Sequence, residues 1–332
     1  MRWHGSMNAS PTPAIPQTPG QLLTVRNAVA FGLEPRELAA ASRAGTLPRL
    51  RRGAYVTPGD IDPVVRHQLL INAAREVLRP DGVLSHCSAA VWLGLDLPWG
   101  ALDQRVHITR GATGGSLRPR LATHTGPVPE GQWLTVDGMR VTTVARTVVD
   151  VARTAGYQHA VALADHALRE HGGEVLRREM GAIASGLKGR KGIRAALRAI
   201  DFADARAESG GESVSRVVLA AMGIPKPVLQ FEVFDQGRFI GRTDFGWPEL
   251  GTLGEFDGRV KYRELPARQS RMAGEVVYRE KVREDLLRDA GWEVVRWVWS
   301  DLDQPQALAG RLRAAFARAD ANRPAQVRRD SR

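Results

Sequence analysis

The segment Gly241–Tyr262, GRTDFGWPELGTLGEFDGRVKY, places three carboxylates, Asp244, Glu255 and Asp257, on the strands of what reads as a buried β-hairpin, besides Glu249 at its turn. Acidic side chains are rarely buried unless something neutralises them, so any fold of this chain has to solve that problem. A turn centred between Glu249 and Leu250 sets Asp244 opposite Glu255, because both lie equally far from the centre. Opposed residues of an antiparallel pair have Cβ atoms about 4.5–5.5 Å apart. Glu255 and Asp257 are two apart on one strand and share a face. All three carboxylates are therefore expected to converge. Like charges facing one another destabilise a sheet, so the pattern favours protonation or a bound cation. A hard divalent ion with oxygen ligands, Mg²⁺ or Mn²⁺, suits such a site. Basic residues flank it at Arg242, Arg259, Lys261 and Arg263.

The surrounding pattern predicts a helix over Glu212–Met222, then the strands VLQFEVF, RFIGRTDF and TLGEFD. A long helix follows at about Gly274–Ala290, with Tyr278, Val282 and Leu286 at i, i+4 and i+8 expected on its buried face. A fourth strand, EVVRWVW, and a helix from about Pro305 complete the order. Helices around an antiparallel hairpin define the α+β class. Glu212 is within reach of the hairpin, but SGGE also reads as a capping box from Ser209 to Glu212. Arg283, on the solvent side of the long helix, is placed to meet a phosphate.

A chain of 332 residues is long enough for two or three domains. Its boundaries are expected at a Pro-rich disordered leader (1–20), a winged helix-turn-helix (21–60), a mixed α/β middle domain (61–187), a linker helix (188–207), the hairpin domain (208–317) and a basic tail (318–332). The net charge of +11 points to nucleic acid as a partner. Cys87, the single cysteine, excludes an internal disulfide and fits a reducing cytoplasm. With no run of 18 apolar residues, no membrane span is expected.

In the N-terminal region Thr24 is a plausible N-cap, Gly32 a stop, and Pro35 a suitable first-turn residue for a second helix. TLPRLRRGAYVT then reads as two strands about a turn at Arg52 and Gly53. Helix, turn, helix and wing is a DNA-binding arrangement. It would carry Arg36 and Arg43 on the second helix and Arg49, Arg51 and Arg52 on the wing. In the middle region PVVRHQLLINAAREVLR has helical spacing, Ser85 is an expected N-cap, and RVHITRG, HTGPV and GMRVTTV read as strands. This region is expected to be a scaffold without chemistry, because Cys87, His86 and His124 have no partner at catalytic spacing. His159, His166 and His171 lack metal spacing. GLKGRKG and RGATGGS fail the phosphate-loop and dinucleotide patterns.

The segments ESGGES, GRTDFGWPE, GEFDGRVKY, REKVREDLLRDAGWEVVRW and WSDL resemble restriction-endonuclease-like domains of the PD-(D/E)XK superfamily, near the relatives of very-short-patch-repair endonucleases. The resemblance implies an αβββαβ core, with Asp244 as the metal-binding acid and Glu255 as the first acid of the (D/E)XK element. Asp257 stands where that element has its Lys, and Lys261 is the nearest substitute. It further implies a Mg²⁺-dependent endonuclease at Asp244, Glu255, Asp257 and Lys261, in phage defence or repair. LTVRNAVAFGLEPRELAAASRAGTLPRLRRGAYV is similar to the winged-helix start of AbiEi-type antitoxins of type IV toxin–antitoxin systems. That likeness implies the other reading, a DNA-binding regulator or antitoxin with a cognate toxin and a catalytically inactive nuclease fold.

Overall fold

β1 (Leu22–Thr24) runs directly into α1 (Val25–Ala28) because Thr24 caps the helix. Its Oγ1 accepts the Asn27 N–H at 3.2 Å, and the Asn27 side chain accepts the Thr24 N–H at 2.7 Å. A 3₁₀ turn over Val29–Phe31 stops at Gly32 in the left-handed region, and Pro35 starts α2 (Pro35–Arg43). The hairpin of β2 (Arg49–Arg51) and β3 (Ala54–Val56) turns through Gly53, whose φ of +76° suits glycine. β3 is central in a three-stranded antiparallel sheet of order β1-β3-β2. Leu23, Leu38, Leu47 and Tyr55 fill the small core beneath it. Helix, helix and hairpin follow in the order expected.

The computed structural model describes residues 15, 18–75, 78–79, 81–97, 100, 102–111, 115–258 and 281–322. They form two compact units, Met1–Gly94 with Trp99–Thr147, and Leu95–Pro98 with Val148–Arg332. The fold is α+β throughout. No helix among the described residues is long and apolar enough to cross a membrane.

The first unit continues with α3 (Pro63–Arg75), β4 (Val83–Leu84), α4 (His86–Trp92), β5 (Val106–Arg110), β6 (Ser116–Arg118), β7 (Leu121–Thr125), β8 (Trp133–Val136) and β9 (Met139–Thr142). Six strands make a mixed sheet of order β6-β7-β5-β4-β9-β8, in which β5 and β7 run parallel. Of the strand expected at HTGPV, only His124 and Thr125 belong, at the end of β7. Ser85 precedes α4 as expected but makes no side-chain cap; its Oγ meets Thr109 and His86 instead.

α5 (Val144–Thr154) leads to the second unit, where α6 (Tyr157–His171), α7 (Gly173–Gly186) and α8 (Ile193–Phe202) precede α9 (Gly210–Ala221). Then come β10 (Val228–Asp235), β11 (Arg238–Trp247) and β12 (Thr252–Phe256). α10 (281–289), β13 (Glu293–Trp297), α11 (Trp299–Leu302) and α12 (Pro305–Asn322) complete the chain. The sheet order is β10-β11-β12-β13, antiparallel except for the parallel pair β12–β13. The order α9-β10-β11-β12-α10-β13 is thus α-β-β-β-α-β. One expectation fails here. Val282 and Leu286 are exposed, and Leu287 is the buried residue of α10, packed with Val233 and Leu253. Tyr278 lies outside the described residues.

α9 is buried from Gly211 to Leu219, so its polar residues need partners on every side. Trp297 Nε1 donates to Ser215 Oγ at 2.8 Å on the sheet side. On the other side Arg216 Nη1 donates to Asp165 Oδ2 of α6 at 2.6 Å, with the side chains only 7% and 1% exposed. Arg216 Nη2 also donates to the Phe202 carbonyl, and Asp165 Oδ1 accepts the Asp204 N–H, both at 2.7 Å. Removing one partner of a buried pair leaves the other charge uncompensated, at a cost of about 3–5 kcal/mol. Asp165→Ala is expected to lose that much in urea unfolding, and Asp165→Leu with Arg216→Met to recover most of it. An unchanged midpoint for the single variant would show that the pair does not hold α9 in place.

Candidate functional site

The hairpin register is centred where the sequence places it. Phe245 pairs with Gly254, Gly246 with Leu253 and Trp247 with Thr252, which brings Asp244 next in line with Glu255. The ladder itself stops at Phe245 and Gly254, and Asp244 Oδ2 accepts the Phe256 N–H at 2.8 Å. The strand beyond follows β13 instead: Asp257 N–H donates to the Trp297 carbonyl at 2.8 Å, and Asp257 is exposed.

Glu212 joins from α9. A Cβ on Gly211 would lie 1.9 Å from the Phe256 ring, so only glycine lets the first turn of α9 rest on β12. Glu212 caps that turn: its N–H donates to Ser209 Oγ at 3.2 Å, while Oε1 accepts the Ser209 hydroxyl at 2.8 Å. Oε2 accepts the Glu208 N–H and Gln230 Nε2, each at 2.9 Å. Of the capping box read from SGGE, the Ser209 half is realised, while the Glu212 carboxylate takes the Glu208 N–H and the Ser209 hydroxyl instead of the Ser209 N–H.

Each acid is neutralised differently. Glu255 is held between two guanidinium groups, Arg283 Nη2 at 2.5 Å and Arg296 Nη2 at 2.9 Å. Arg283 therefore turns inward, its Nη1 also donating to the Arg242 carbonyl at 3.2 Å. Glu212 is satisfied by neutral donors. Asp244 makes no ion pair among the described residues. Burial pushes its carboxyl up to about 6; the Phe256 N–H opposes the rise, and the Glu212, Glu255 and Glu208 carboxylates add to it. Glu212 and Glu255 thus act on Asp244 through their charge, although among the described residues the oxygens of these acids are not gathered within 4.8 Å of one another as the nitrogens of the histidine group are. Lys261, Arg259 and Arg263 lie outside the described residues.

In the N-terminal region Arg36, Arg43, Arg49 and Arg52 are exposed. Arg36 Nε lies 2.6 Å from Glu34, both side chains in solvent, where such a pair holds little energy. Arg51 is half-buried and donates through Nη1 to the Ala73 carbonyl at 2.6 Å, which ties the wing to α3.

The middle region departs from the expected scaffold. His86, His107 and His124 each bring one donor atom within 4.8 Å of the others. Their separation along the chain conceals this. It becomes legible only once β5 and β7 are known to be parallel neighbours, with Thr109 paired to His124 and His107 two positions back on the same face. Cys87 is buried, and burial pushes its thiol up to about 11, so it has no nucleophilic character.

The chain is 34% identical over 183 residues to two curated Mycobacterium tuberculosis proteins, the uncharacterized proteins MT2308 and Rv2248. The match covers 55% of this chain and 62% of each relative, so the chain spans less than two thirds of their length. No protein-family model matches the chain.

A carboxyl raised from 3.8 to about 6 on folding makes the native state bind protons more tightly than the unfolded one. Stability is therefore lost as pH rises between those values, and the loss is complete above about 6. Asp244→Asn keeps an oxygen for the Phe256 N–H and removes the repelling charge. Without added metal it is expected to melt higher than the wild type at pH 7.5, by about 2–4 °C per kcal/mol relieved, with the gap closing towards pH 4. An equal gap at both pH values would contradict this origin.

Proposed function

We propose that this is a DNA-binding protein whose second unit holds Mg²⁺ or Mn²⁺ at Asp244, Glu255 and Glu212 and hydrolyses phosphodiesters. The observation that supports it is Asp244, half-buried beside two other carboxylates with no cation of its own among the described residues. Asp257 takes a place at the exposed rim of the site. The chemistry that the cation supplies is activation of water and neutralisation of charge at the leaving oxygen. Arg283, which meets Glu255 in the structure, would be the guanidinium available to a phosphate were a cation to neutralise that carboxylate. Lys261 serves the charge that develops in the transition state. The net charge of +11 and the exposed Arg36, Arg43, Arg49 and Arg52 supply the electrostatic footprint for DNA in a toxin–antitoxin, phage-defence or repair setting.

A second reading, a regulator or antitoxin with an inactive nuclease fold and a toxin partner, draws on a separate observation. Two arginines already neutralise Glu255, so the fold is stable without a metal there.

Isothermal titration of wild type and Asp244→Asn with Mn²⁺ tests the first reading. Heat from the wild type that the variant lacks is expected; identical heats would remove these acids as ligands. Nicking of supercoiled plasmid by the wild type, abolished in Glu255→Gln, identifies the enzyme. Binding without nicking favours the regulator.

DNA contact is tested separately through its salt dependence. Each phosphate contact contributes about 0.9 to the log–log slope. Replacing Arg43, Arg49 and Arg52 by Ala is expected to reduce that slope by about 2–3. An unchanged slope would take the wing out of the interface.

A further inference from the structure

We infer that His86, His107 and His124 of the first unit form a binding site for a divalent transition-metal ion of the zinc class. The three rings come from three elements. His86 is the first residue of α4, His107 lies on β5 and His124 on β7. The donor atoms lie within 4.8 Å of one another, and His107 Nδ1 is 3.0 Å from His124 Nε2. A tetrahedral zinc ion with Zn–N bonds of about 2.0–2.1 Å needs nitrogens about 3.3–3.4 Å apart, slightly beyond the 3.0 Å of the His107–His124 pair and inside the 4.8 Å that bounds all three. The rings of His86 and His124 stack with centroids 3.6 Å apart and planes 16° from parallel, so the two rings must tilt apart for both in-plane lone pairs to point at one ion.

The other ring nitrogens are held in the manner of a metal site. His107 Nε2 faces Asp103 Oδ2 at 3.1 Å, off the line of a good hydrogen bond. Asp103 is in turn gripped by the Arg105 guanidinium at 2.6 Å. His86 Nδ1 meets Ser85 Oγ at 2.9 Å, and that oxygen accepts the Thr109 hydroxyl at 2.8 Å. Ser88 Oγ accepts the backbone N–H of His107 at 2.8 Å and meets His67 Nε2 at the same distance, which fixes the β5 backbone at His107. A carboxylate behind His107 and a hydroxyl behind His86 stand where such groups orient metal-ligating imidazoles.

The backbone supplies an independent sign. His86 has a φ of +54°, in the left-handed region that non-glycine residues seldom occupy. Such strain persists where surrounding structure enforces it, and it clusters at functional sites. Here it brings the first side chain of α4 against the His124 ring on β7.

Imidazole nitrogens alone select zinc, copper, nickel or cobalt over magnesium or calcium. Three protein ligands leave a fourth position open to water, as in zinc sites that bind or activate a small ligand. This site is distinct in residues and in donor chemistry from the acids of the second unit.

The test uses the untagged full chain, stripped with chelator and then titrated with Zn²⁺ and with Co²⁺. One equivalent is expected to bind, raising the melting temperature. X-ray absorption at the zinc edge should show imidazole nitrogens at about 2.0–2.1 Å. His124→Gln, at a half-buried position, should lose the visible cobalt bands, and Asp103→Asn should weaken zinc binding about 10–100-fold. Circular dichroism of His124→Gln confirms that it folds. The inference is overturned if the wild type binds no zinc, if only oxygen ligands appear, or if His124→Gln folds and binds zinc as tightly as the wild type.

Discussion

The second unit depends on one buried ion pair. α9 is enclosed along nine residues, Gly211–Leu219, and a helix so enclosed cannot leave a guanidinium unanswered. Asp165 answers Arg216, and the carbonyl of Phe202 and the N–H of Asp204 fill the remaining valences. The Arg216 guanidinium also lies 4.8 Å over the Phe202 ring. Hydrophobic packing alone would allow α9 to rotate or slide against its neighbours; a guanidinium fixed at once by the Asp165 carboxylate and the Phe202 carbonyl favours one rotation. That rotation aims Ser215 at Trp297 and places Glu212 at the end of the hairpin. The geometry of the candidate acidic site is therefore set from the opposite face of the helix that contributes to it.

Glycine completes that placement. Only the missing Cβ of Gly211 lets α9 reach the Phe256 ring, and Phe256 is the residue whose N–H Asp244 accepts. The backbone of β12 thus connects the helix carrying Glu212 to the strand carrying Asp244. At the same point the chain loses one of its two partner strands, leaving β11 after Gly254 while it stays beside β13 through Asp257. A strand end with an acid at each side, and one amide taken by a carboxylate, is where charge repulsion can accumulate without breaking a ladder.

How much of this the sequence discloses depends on how local the deciding interaction is. The hairpin register was legible because its turn residues and the equal distances of Asp244 and Glu255 from the turn lie within one short segment. Thr24, Gly32, Pro35 and Gly53 were legible for the same reason, each acting within a few residues of itself. The buried face of α10 was not. Apolar spacing favours Val282 and Leu286, but Arg283 is drawn to Glu255 from across the sheet and carries Leu287 inward with it. A long-range ion pair overrode a local hydrophobic pattern. Asp165 was equally silent, since nothing near it in the chain announces a partner 51 residues away.

The histidine cluster lies at the far end of the same scale. His86 and His107 are 21 apart in the chain and His107 and His124 are 17 apart, which matches no ligand spacing on a single helix or hairpin. They meet because β7 runs parallel to β5 rather than folding back on it, so the connection between them, which carries β6, is invisible to periodicity. What remains readable at the level of single residues is donor chemistry. Oxygen donors at Glu212, Asp244 and Glu255 suit a hard ion, whereas imidazoles at His86, His107 and His124 suit a borderline one. Magnesium has little affinity for imidazoles, whereas zinc prefers them without being excluded from carboxylates, so the two sets rank the metals differently. Magnesium should leave the histidines untouched, and zinc at low concentration should find them before the acids.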